Sequence, residues 1–120
     1  MSRKWALTNR AQYLAVYKSG KSWGDELIWM KAVHNGLELS RYGFSITKSV
    51  GKAVVRNRVR RLLREAVRLK SLKPGWDIVI VSRPSAATVD YHQLDESISR
   101  LLGRARLLQD KDEKNGNRDN

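Results

Sequence analysis

Residues 51–70 read GKAVVRNRVRRLLREAVRLK, and they predict the longest helix of the chain. At about 100° per residue, the apolar side chains gather on one side of this helix. They are Val55, Val59, Leu62, Leu63, Ala66, Val67 and Leu69. The opposite side carries Arg56, Asn57, Arg60, Arg61, Arg64 and Arg68, with Arg58 and Glu65 at the border. The segment therefore predicts a helix that docks on a core by one face and presents guanidinium groups on the other.

Positive charge is concentrated around this helix. The chain has 24 Lys and Arg against 12 Asp and Glu, for a net charge of +12. Between residues 41 and 73 there are eleven Lys or Arg and one acid, Glu65. Arg56, Arg60, Arg64 and Arg68 also repeat every fourth residue, so like charges stack along one line, which we name the arginine ridge. Solubility does not require such clustering, so the pattern favours a nucleic-acid partner.

The residue types suit RNA phosphates and bases. Arginine offers paired donors that fit phosphate oxygens and a flat face that stacks on bases. The turn at residues 48–52 adds Lys48 and Lys52 near a helix N-terminus, where backbone N–H groups favour anions. Asn57 has two interpretations that the sequence leaves open: its amide contacts a base edge or a 2′-hydroxyl, or it makes a local hydrogen bond.

A short first helix is predicted over residues 9–18, with Thr8 or Asn9 as its N-cap. Tyr13 and Tyr17 are four residues apart and share one face. Aromatic side chains on such a face either pack on a sheet or stack with bases, and we expect one of the two tyrosines to pack. The tryptophans are predicted to be packing or rim residues; they are Trp5, Trp23, Trp29 and Trp76.

The remaining segments predict strands and a last helix. Residues 27–33 (LIWMKAV) and 37–46 flank the Asn35-Gly36 pair, a strong signal for an antiparallel hairpin. Residues 78–81 (IVIV) form a short apolar run, which is typical of a central strand buried on both faces. The last helix starts between residues 88 and 90 and has an apolar stripe of Leu94, Ile98, Leu101, Leu102 and Ala105. The order predicts an α+β sandwich with helices packed on a small sheet.

Several classes of protein are excluded or disfavoured by composition. A chain of 120 residues forms one domain, which we place at residues 1–108, followed by a polar tail at 109–120 that we expect to be disordered. No apolar run reaches the roughly 20 residues of a membrane span. The chain has no cysteine, which excludes disulfides, thiol catalysis and cysteine-ligated zinc and suits a reducing cytosol.

No catalytic group is apparent in the protein itself. His34 and His92 share no motif and are expected to be ordinary surface histidines. The acids do not show the spacing of metal ligands either; they are Asp25, Glu26, Asp77, Asp90 and Asp95. General acid–base or metal-assisted hydrolysis needs such groups in one place, so we expect the chemistry to come from a partner.

Residues 51–66 closely resemble the signature of the protein subunit of bacterial ribonuclease P, in which a G-x-A-V-x-R-N-R segment follows a strand ending in G-x-S-x-S/T-K. That strand is matched here by residues 42–48 (YGFSITK). Weaker matches lie in the first helix, where Tyr13 and Tyr17 replace the usual phenylalanines, and in residues 77–83 (DIVIVSR). The resemblance covers about residues 8–108. Val67, where an aromatic residue is common, and Ser49, where a lysine is frequent, depart from the pattern.

The resemblance implies a fold of order αβββαβα with a left-handed βαβ crossover around the basic helix. It also implies a role: the small partner of a catalytic RNA that removes the 5′ leader from precursor tRNA. One surface would dock on the catalytic RNA, through Lys48, Lys52, Arg56, Asn57, Arg58, Arg60, Arg61, Arg64 and Arg68. A cleft between the first helix and the sheet would hold the single-stranded leader, through Tyr13, Tyr17, Lys18, Lys31 and Ser45.

The expected partners are therefore the catalytic RNA and precursor tRNA, in the cytoplasm of a bacterium, without a membrane or DNA partner. Mg²⁺ is expected in the holoenzyme and bound mainly by RNA. Two alternatives stay open at this point. A ribosomal-type RNA-binding protein would share the basic helix but lack a substrate cleft. A DNA-binding protein would insert the helix into a major groove, although no helix-turn-helix pair is apparent.

Overall fold

The computed structural model describes residues 5–109. Its helices and strands occur in the predicted order αβββαβα. They are α1 (Arg10–Ser19), β1 (Lys21–Gly24), β2 (Ile28–His34), β3 (Arg41–Ile46), α2 (Ala53–Arg68), β4 (Trp76–Ser82) and α3 (Tyr91–Arg104). Gln109, which the sequence assigned to the tail, still donates its backbone N–H to Ser71. The rest of the predicted tail, residues 110–120, lies outside the described residues.

The four strands form one mixed sheet in the order β1-β2-β4-β3. Strand β4 is antiparallel to β2 and parallel to β3, and α2 provides the βαβ crossover between the two parallel strands. The predicted hairpin of β2 with β3 is therefore wrong. Asn35 and Gly36 do form a turn, in which the Asn35 side chain accepts from the Leu37 N–H. The chain then passes around the start of β4, because this most apolar strand takes the central position and separates its neighbours.

The loop between β2 and β3 is fixed to the beginning of β4. The guanidinium of Arg41 donates to both carboxylate oxygens of Asp77, at 2.9 and 2.7 Å. The amide of Asn35 donates to the same carboxylate at 2.9 Å. Asp77 is only 5% exposed, so these donors satisfy a charge that would otherwise be costly to bury. The ion pair also raises the pKa of Arg41.

Each face of the sheet carries its own apolar cluster. Alternation along β4 points Ile78 and Ile80 toward α2 and α3, where the main core includes Leu63 and Ile98. Val79 and Val81 point to the opposite face and pack under α1. The prediction that β4 is a central strand buried on both faces is thus confirmed. Because α2 and α1 pack on opposite faces of the sheet, their side chains can approach each other only around the edge formed by β3.

Helix capping follows the sequence signals closely. Asn9 caps α1 and forms a capping box with Gln12. Asp90 and Gln93 do the same for α3. These reciprocal hydrogen bonds satisfy backbone N–H groups that a helix start leaves unpaired. None of the helices within residues 5–109 is long and apolar enough to cross a membrane.

Helix α2 buries the predicted face with one exception. Val59, Leu63, Ala66 and Val67 are buried, and Val55 and Leu62 pack at the margin of the main core. Leu69 was expected to point inward, but it is 62% exposed. The helix ends at Arg68, one residue earlier, so the helical periodicity no longer places Leu69 against the core.

Candidate nucleic-acid interface

The arginine ridge lies on the outer face of α2. Within residues 5–109, the side chains of Arg61 and Arg64 make no hydrogen bond or ion pair, and both are exposed. Arg56 is half-buried, and its Nε donates to the Gly51 carbonyl at 3.1 Å. The outer face of α2 therefore combines guanidinium groups held near the start of the helix with uncompensated ones further along. Such a surface is suited to a polyanion.

Asn57 makes a local contact on this face. Its amide oxygen accepts from Arg60 Nη1 at 3.0 Å, so the local hydrogen bond that the sequence allowed is present. The contact holds the Arg60 guanidinium against the helix surface. At the other end of the ridge, Arg68 forms a two-hydrogen-bond pair with Glu65. Both partners are about half exposed, a setting in which an ion pair is weak and can exchange for a phosphate.

Arg58 differs from the other predicted RNA contacts. Its Nη2 donates to the Val89 carbonyl at 2.9 Å, and its Nη1 lies 3.5 Å from the Ala87 carbonyl. The guanidinium thus ties α2 to the segment that precedes α3. The sequence placed Arg58 at the border of the helix faces, and the structure gives it a role within the fold.

The turn before α2 adds two exposed lysines. Lys48 begins a short 3₁₀ turn, and Lys52 is the N-cap residue of α2. The Lys52 side chain provides no capping hydrogen bond to the first N–H groups of α2. The positive end of the α2 dipole and the ammonium groups of Lys48 and Lys52 therefore all favour an anion at this turn.

Tyr13 lies directly on β3. A Cβ atom at Gly43 would be 2.2 Å from the Tyr13 hydroxyl oxygen, so the phenol occupies the space that any other residue at position 43 would fill. Burial raises the pKa of Tyr13, and neighbouring Tyr17 adds to the rise, whereas the Phe44 backbone and the charge of Arg60 lower it. Tyr13 is thus the more constrained of the two tyrosines, because its hydroxyl fills the space beside Gly43.

Tyr17 lies further along the same face, against a tryptophan of β2. The rings of Tyr17 and Trp29 are tilted, with centroids 6.2 Å apart. Lys31 follows on the same side of β2, and its Nζ donates a hydrogen bond to the Tyr17 carbonyl oxygen at 2.6 Å. A cation at the last turn of α1 is favourable because it meets carbonyl groups without helical partners. The Lys31 charge therefore both anchors α1 and lies beside the aromatic pair.

The other two predicted cleft residues lie at its margins. Lys18 is exposed on α1, next to Tyr17 in sequence. Ser45 is half-buried on β3 and pairs in register with Val81, which places it on the α1 side of the sheet. All five predicted leader-cleft residues therefore belong to α1 or to the sheet face and edge that it covers.

Sequence reasoning missed two residues that extend this surface. An open cavity of about 340 Å³ is lined by Trp29, Arg83 and the neighbouring part of β1. Gly24 makes it possible, since a Cβ there would lie 3.1 Å from a guanidinium nitrogen of Arg83 and 3.2 Å from the Trp29 Cβ. Alternation along β2 could have placed Trp29 beside Lys31. The approach of Arg83 depends on the strand order and had no local signal.

Within residues 5–109, the histidines and acids lie apart from one another or pair with other side chains. The His34 ring lies against Trp76 with centroids 3.8 Å apart, and His92 pairs with Glu96 on the surface of α3. Residues 5–109 contain no group of three or more His, Asp or Glu side chains that could hold a metal ion. Asp25 and Asp77 instead serve as ion-pair partners of arginines. Because arginines occupy both carboxylates, they are not arranged as ligands for Mg²⁺.

Comparison with known proteins gives a consistent result. The family model described as Ribonuclease P matches residues 1–106. This chain belongs to the ribonuclease P protein family. The ribonuclease P protein component of Dehalococcoides mccartyi is 48% identical over 108 residues, which cover 90% of each chain. That of Caldanaerobacter subterraneus is 42% identical and covers 88% of this chain and 93% of its own.

Solved structures of ribonuclease P proteins share the fold. A Staphylococcus aureus RNase P protein mutant with defective mRNA degradation activity has a TM-score of 0.83 at 26% identity, over 88% of this chain and 92% of that one. The Thermotoga maritima RNase P protein has a TM-score of 0.76 at 31% identity, over 82% and 96%. The chain is accordingly a protein subunit of ribonuclease P, part of an endoribonuclease complex that processes tRNA, and the resemblance seen in residues 51–66 is confirmed.

Proposed function

We propose that this subunit binds the catalytic RNA through α2 and the turn before it, and holds the 5′ leader of precursor tRNA between α1 and the sheet. The geometry that supports this division lies at the edge of the sheet. Tyr13 lies against Gly43 of the edge strand β3 on the face that α1 covers, and α2 packs on the other face, so the two proposed surfaces adjoin at this edge. The charge of Arg60 also lowers the pKa of the Tyr13 phenol. An RNA strand that leaves the arginine ridge at this edge of the sheet would pass directly onto the face of α1 that carries Tyr13 and Tyr17.

The catalyst in this proposal is the RNA, with Mg²⁺ held mainly by RNA. The chain's own contribution is electrostatic and positional. Its ridge offsets phosphate charge, which allows two polyanions to approach each other. Its aromatic side chains stack on unpaired bases, an interaction worth about 1–3 kcal/mol per base. We also propose a cytoplasmic location, with no membrane or DNA partner, because the substrate would be newly made precursor tRNA.

The cleft would extend beyond the residues that the sequence singled out. Tyr17 and Trp29 form a continuous aromatic surface, flanked by the ammonium of Lys31 and the guanidinium of Arg83. Single strands are held by this combination of flat rings and cations, without a need for a particular base sequence. We therefore assign Trp29 and Arg83 to the leader path, together with the two tyrosines and Lys31.

The test compares precursor tRNA with and without a leader. The holoenzyme is reconstituted with a bacterial catalytic RNA, and the Kd of each substrate is measured. We expect Tyr17→Ala and Trp29→Ala to remove most of the leader's contribution, about 5- to 100-fold in Kd, because stacking is lost. Leu14→Ala is the matched control, since Leu14 is 49% exposed on α1.

Two results would count against the proposal. Equal affinity for substrates with and without a leader in the unmodified holoenzyme would remove the cleft and favour the ribosomal-type alternative. A loss caused equally by Leu14→Ala would show that α1 contributes through stability and not through its aromatic face. Assembly with the catalytic RNA, measured separately, is expected to stay within about two-fold in all three variants because none of them changes a charge.

A further inference from the structure

A cavity of about 470 Å³ lies apart from the leader cleft. It opens between Trp5, the loop that joins β2 to β3, and the C-terminal end of α2. Its floor includes Tyr42, whose side chain belongs to the core on the α2 side of the sheet. The predicted leader cleft lies on the α1 side. The two recesses are therefore on opposite faces, and leader binding does not account for this one.

The lining of the cavity combines apolar walls with three charged residues, Glu38, Arg68 and Lys70, of which Lys70 is paired with Asp95. Leu39, Leu72 and Pro74 contribute apolar surface, and the Trp5 side chain is 46% exposed. A volume of this size, mostly apolar with a few polar groups, is in the range of sites that take a small planar ligand, about 300–1,000 Å³. The exposed part of the indole is a surface on which a flat ring can stack.

The lining contains both cationic and anionic side chains. Arg68, the last member of the arginine ridge, is at the cavity, so the ridge leads directly to it. The lining also includes Glu38 of the loop between β2 and β3, whose carboxylate makes no hydrogen bond or ion pair with any residue in 5–109. A carboxylate repels phosphate but accepts from the amino and imino groups of a base. A nucleotide would thus enter with its phosphate at Arg68 and its base toward Glu38.

We propose that this cavity takes one unpaired nucleotide of the RNA that binds along the arginine ridge. The base lies against Trp5, and its phosphate replaces Glu65 as the partner of Arg68. An exposed pair such as Arg68–Glu65 is weak enough to exchange in this way. The inference rests on the proposed function in one respect only, which is that the ridge binds the catalytic RNA.

The affinity of the full chain for a bacterial catalytic RNA tests this proposal. Trp5→Ala is expected to raise Kd about 5- to 100-fold with an unchanged salt slope, because stacking is lost and no charge is removed. Trp5→Phe keeps a ring and is expected to stay within about five-fold. Leu37→Ala is the matched control: Leu37 is also 46% exposed and belongs to the same end of the molecule, but it does not line the cavity. Melting temperatures of all three variants show that they are folded.

Ultraviolet crosslinking of the complex, followed by mass spectrometry, identifies the occupant. The expected product is a nucleotide attached to the peptide that contains Trp5. A crosslink from that peptide to this chain's own terminal residues, or to a second copy, would overturn the proposal, as would equal Kd values for Trp5→Ala and Leu37→Ala. If Arg64→Ala also leaves Kd unchanged, the ridge itself has failed as an RNA surface, so the two failures are distinguishable.

Discussion

Gly43 on β3 is the position where a single added methyl group should test the placement of α1. A Cβ there would lie 2.2 Å from the Tyr13 hydroxyl oxygen, 2.6 Å from its Cζ and 2.9 Å from its Cε1. Ordinary contact begins at 3.4 Å, so the hydroxyl must retreat by about 1.2 Å. The phenol lies between α1 and the sheet and cannot move this far without losing contacts with β3.

The expected cost of Gly43→Ala follows from two opposing effects. Overpacking of this kind costs about 1–3 kcal/mol. Alanine also restricts the unfolded chain, which returns about 0.4–1 kcal/mol. We therefore expect a net loss of about 1–2 kcal/mol in the free energy of unfolding, measured by urea titration.

A double-mutant cycle separates the clash from other effects. In a Tyr13→Ala background the clash is absent, so Gly43→Ala should be neutral or stabilising by up to about 1 kcal/mol. Gly103→Ala is the control, because nothing lies within 4 Å of a Cβ at that helical position. If Gly43→Ala costs the same with and without the Tyr13 ring, the reasoning that the phenol rests on Gly43 is refuted.

Other substitutions test the two sides of α2 and one ion pair. Arg64→Ala should reduce the salt slope for RNA binding by about 0.7–0.9 with little change in stability, whereas Arg58→Ala should mainly lower stability, by about 1–3 kcal/mol, because carbonyls lose their donor. An equal effect of both on the salt slope would contradict this division. Leu63→Ala should lower the free energy of unfolding in urea by about 2–5 kcal/mol, and Leu69→Ala should change it by no more than about 0.5 kcal/mol, because Leu63 is buried and Leu69 is exposed. Comparable losses would place Leu69 in the core. Burial tends to raise the pKa of Asp25, but hydrogen bonds from Arg100 and from two backbone N–H groups outweigh it and leave the pKa lowered. The stabilisation from this carboxylate is thus present above its ordinary pKa of 3.8 and is lost as the pH falls through the lowered value. We therefore expect Asp25→Asn to lower the free energy of unfolding at pH 7 and to lower it much less at pH 2.5. A loss that does not depend on pH would exclude this linkage.

The helices were predictable because their signals are local. The caps Asn9 and Asp90 lie next to the start of the apolar periodicity; Asn9 was one of two predicted N-caps, and Asp90 lies at the end of the range predicted for the start of the last helix, residues 88–90. The buried face of α2 followed from spacing alone, up to the residue at which the helix stops. Leu69 failed because periodicity does not indicate where a helix ends.

The strand order was not predictable from the same kind of signal. The Asn35-Gly36 turn is present, yet the strands on either side of it are separated by β4, which is more than thirty residues further along the chain. Strand β1 (KSWG) contains one apolar residue and pairs only along one edge, so it has no pattern of its own. Both outcomes depend on pairing between distant segments.

The candidate site divides along the same line. The ridge and the tyrosine pair lie within single helices and were found from the sequence. The approach of Arg83 to Trp29 requires β2 and β4 to be neighbours, and the contact between Tyr13 and β3 requires a glycine at position 43 on another element. Residues that act together from different strands were therefore the ones missed.

The central position of β4 bears on how the protein emerges from the ribosome. Until residues 76–82 are available, β3 has no strand to pair with, and β2 is covered on one edge only. Contacts between such distant segments form slowly, and unpaired strand edges are prone to association. About two thirds of the chain must thus be synthesised before the sheet can close. A nascent chain that stalls within the arginine-rich helix would expose its basic surface and its open edges together, which makes completion of β4 the step that commits the subunit to a usable form.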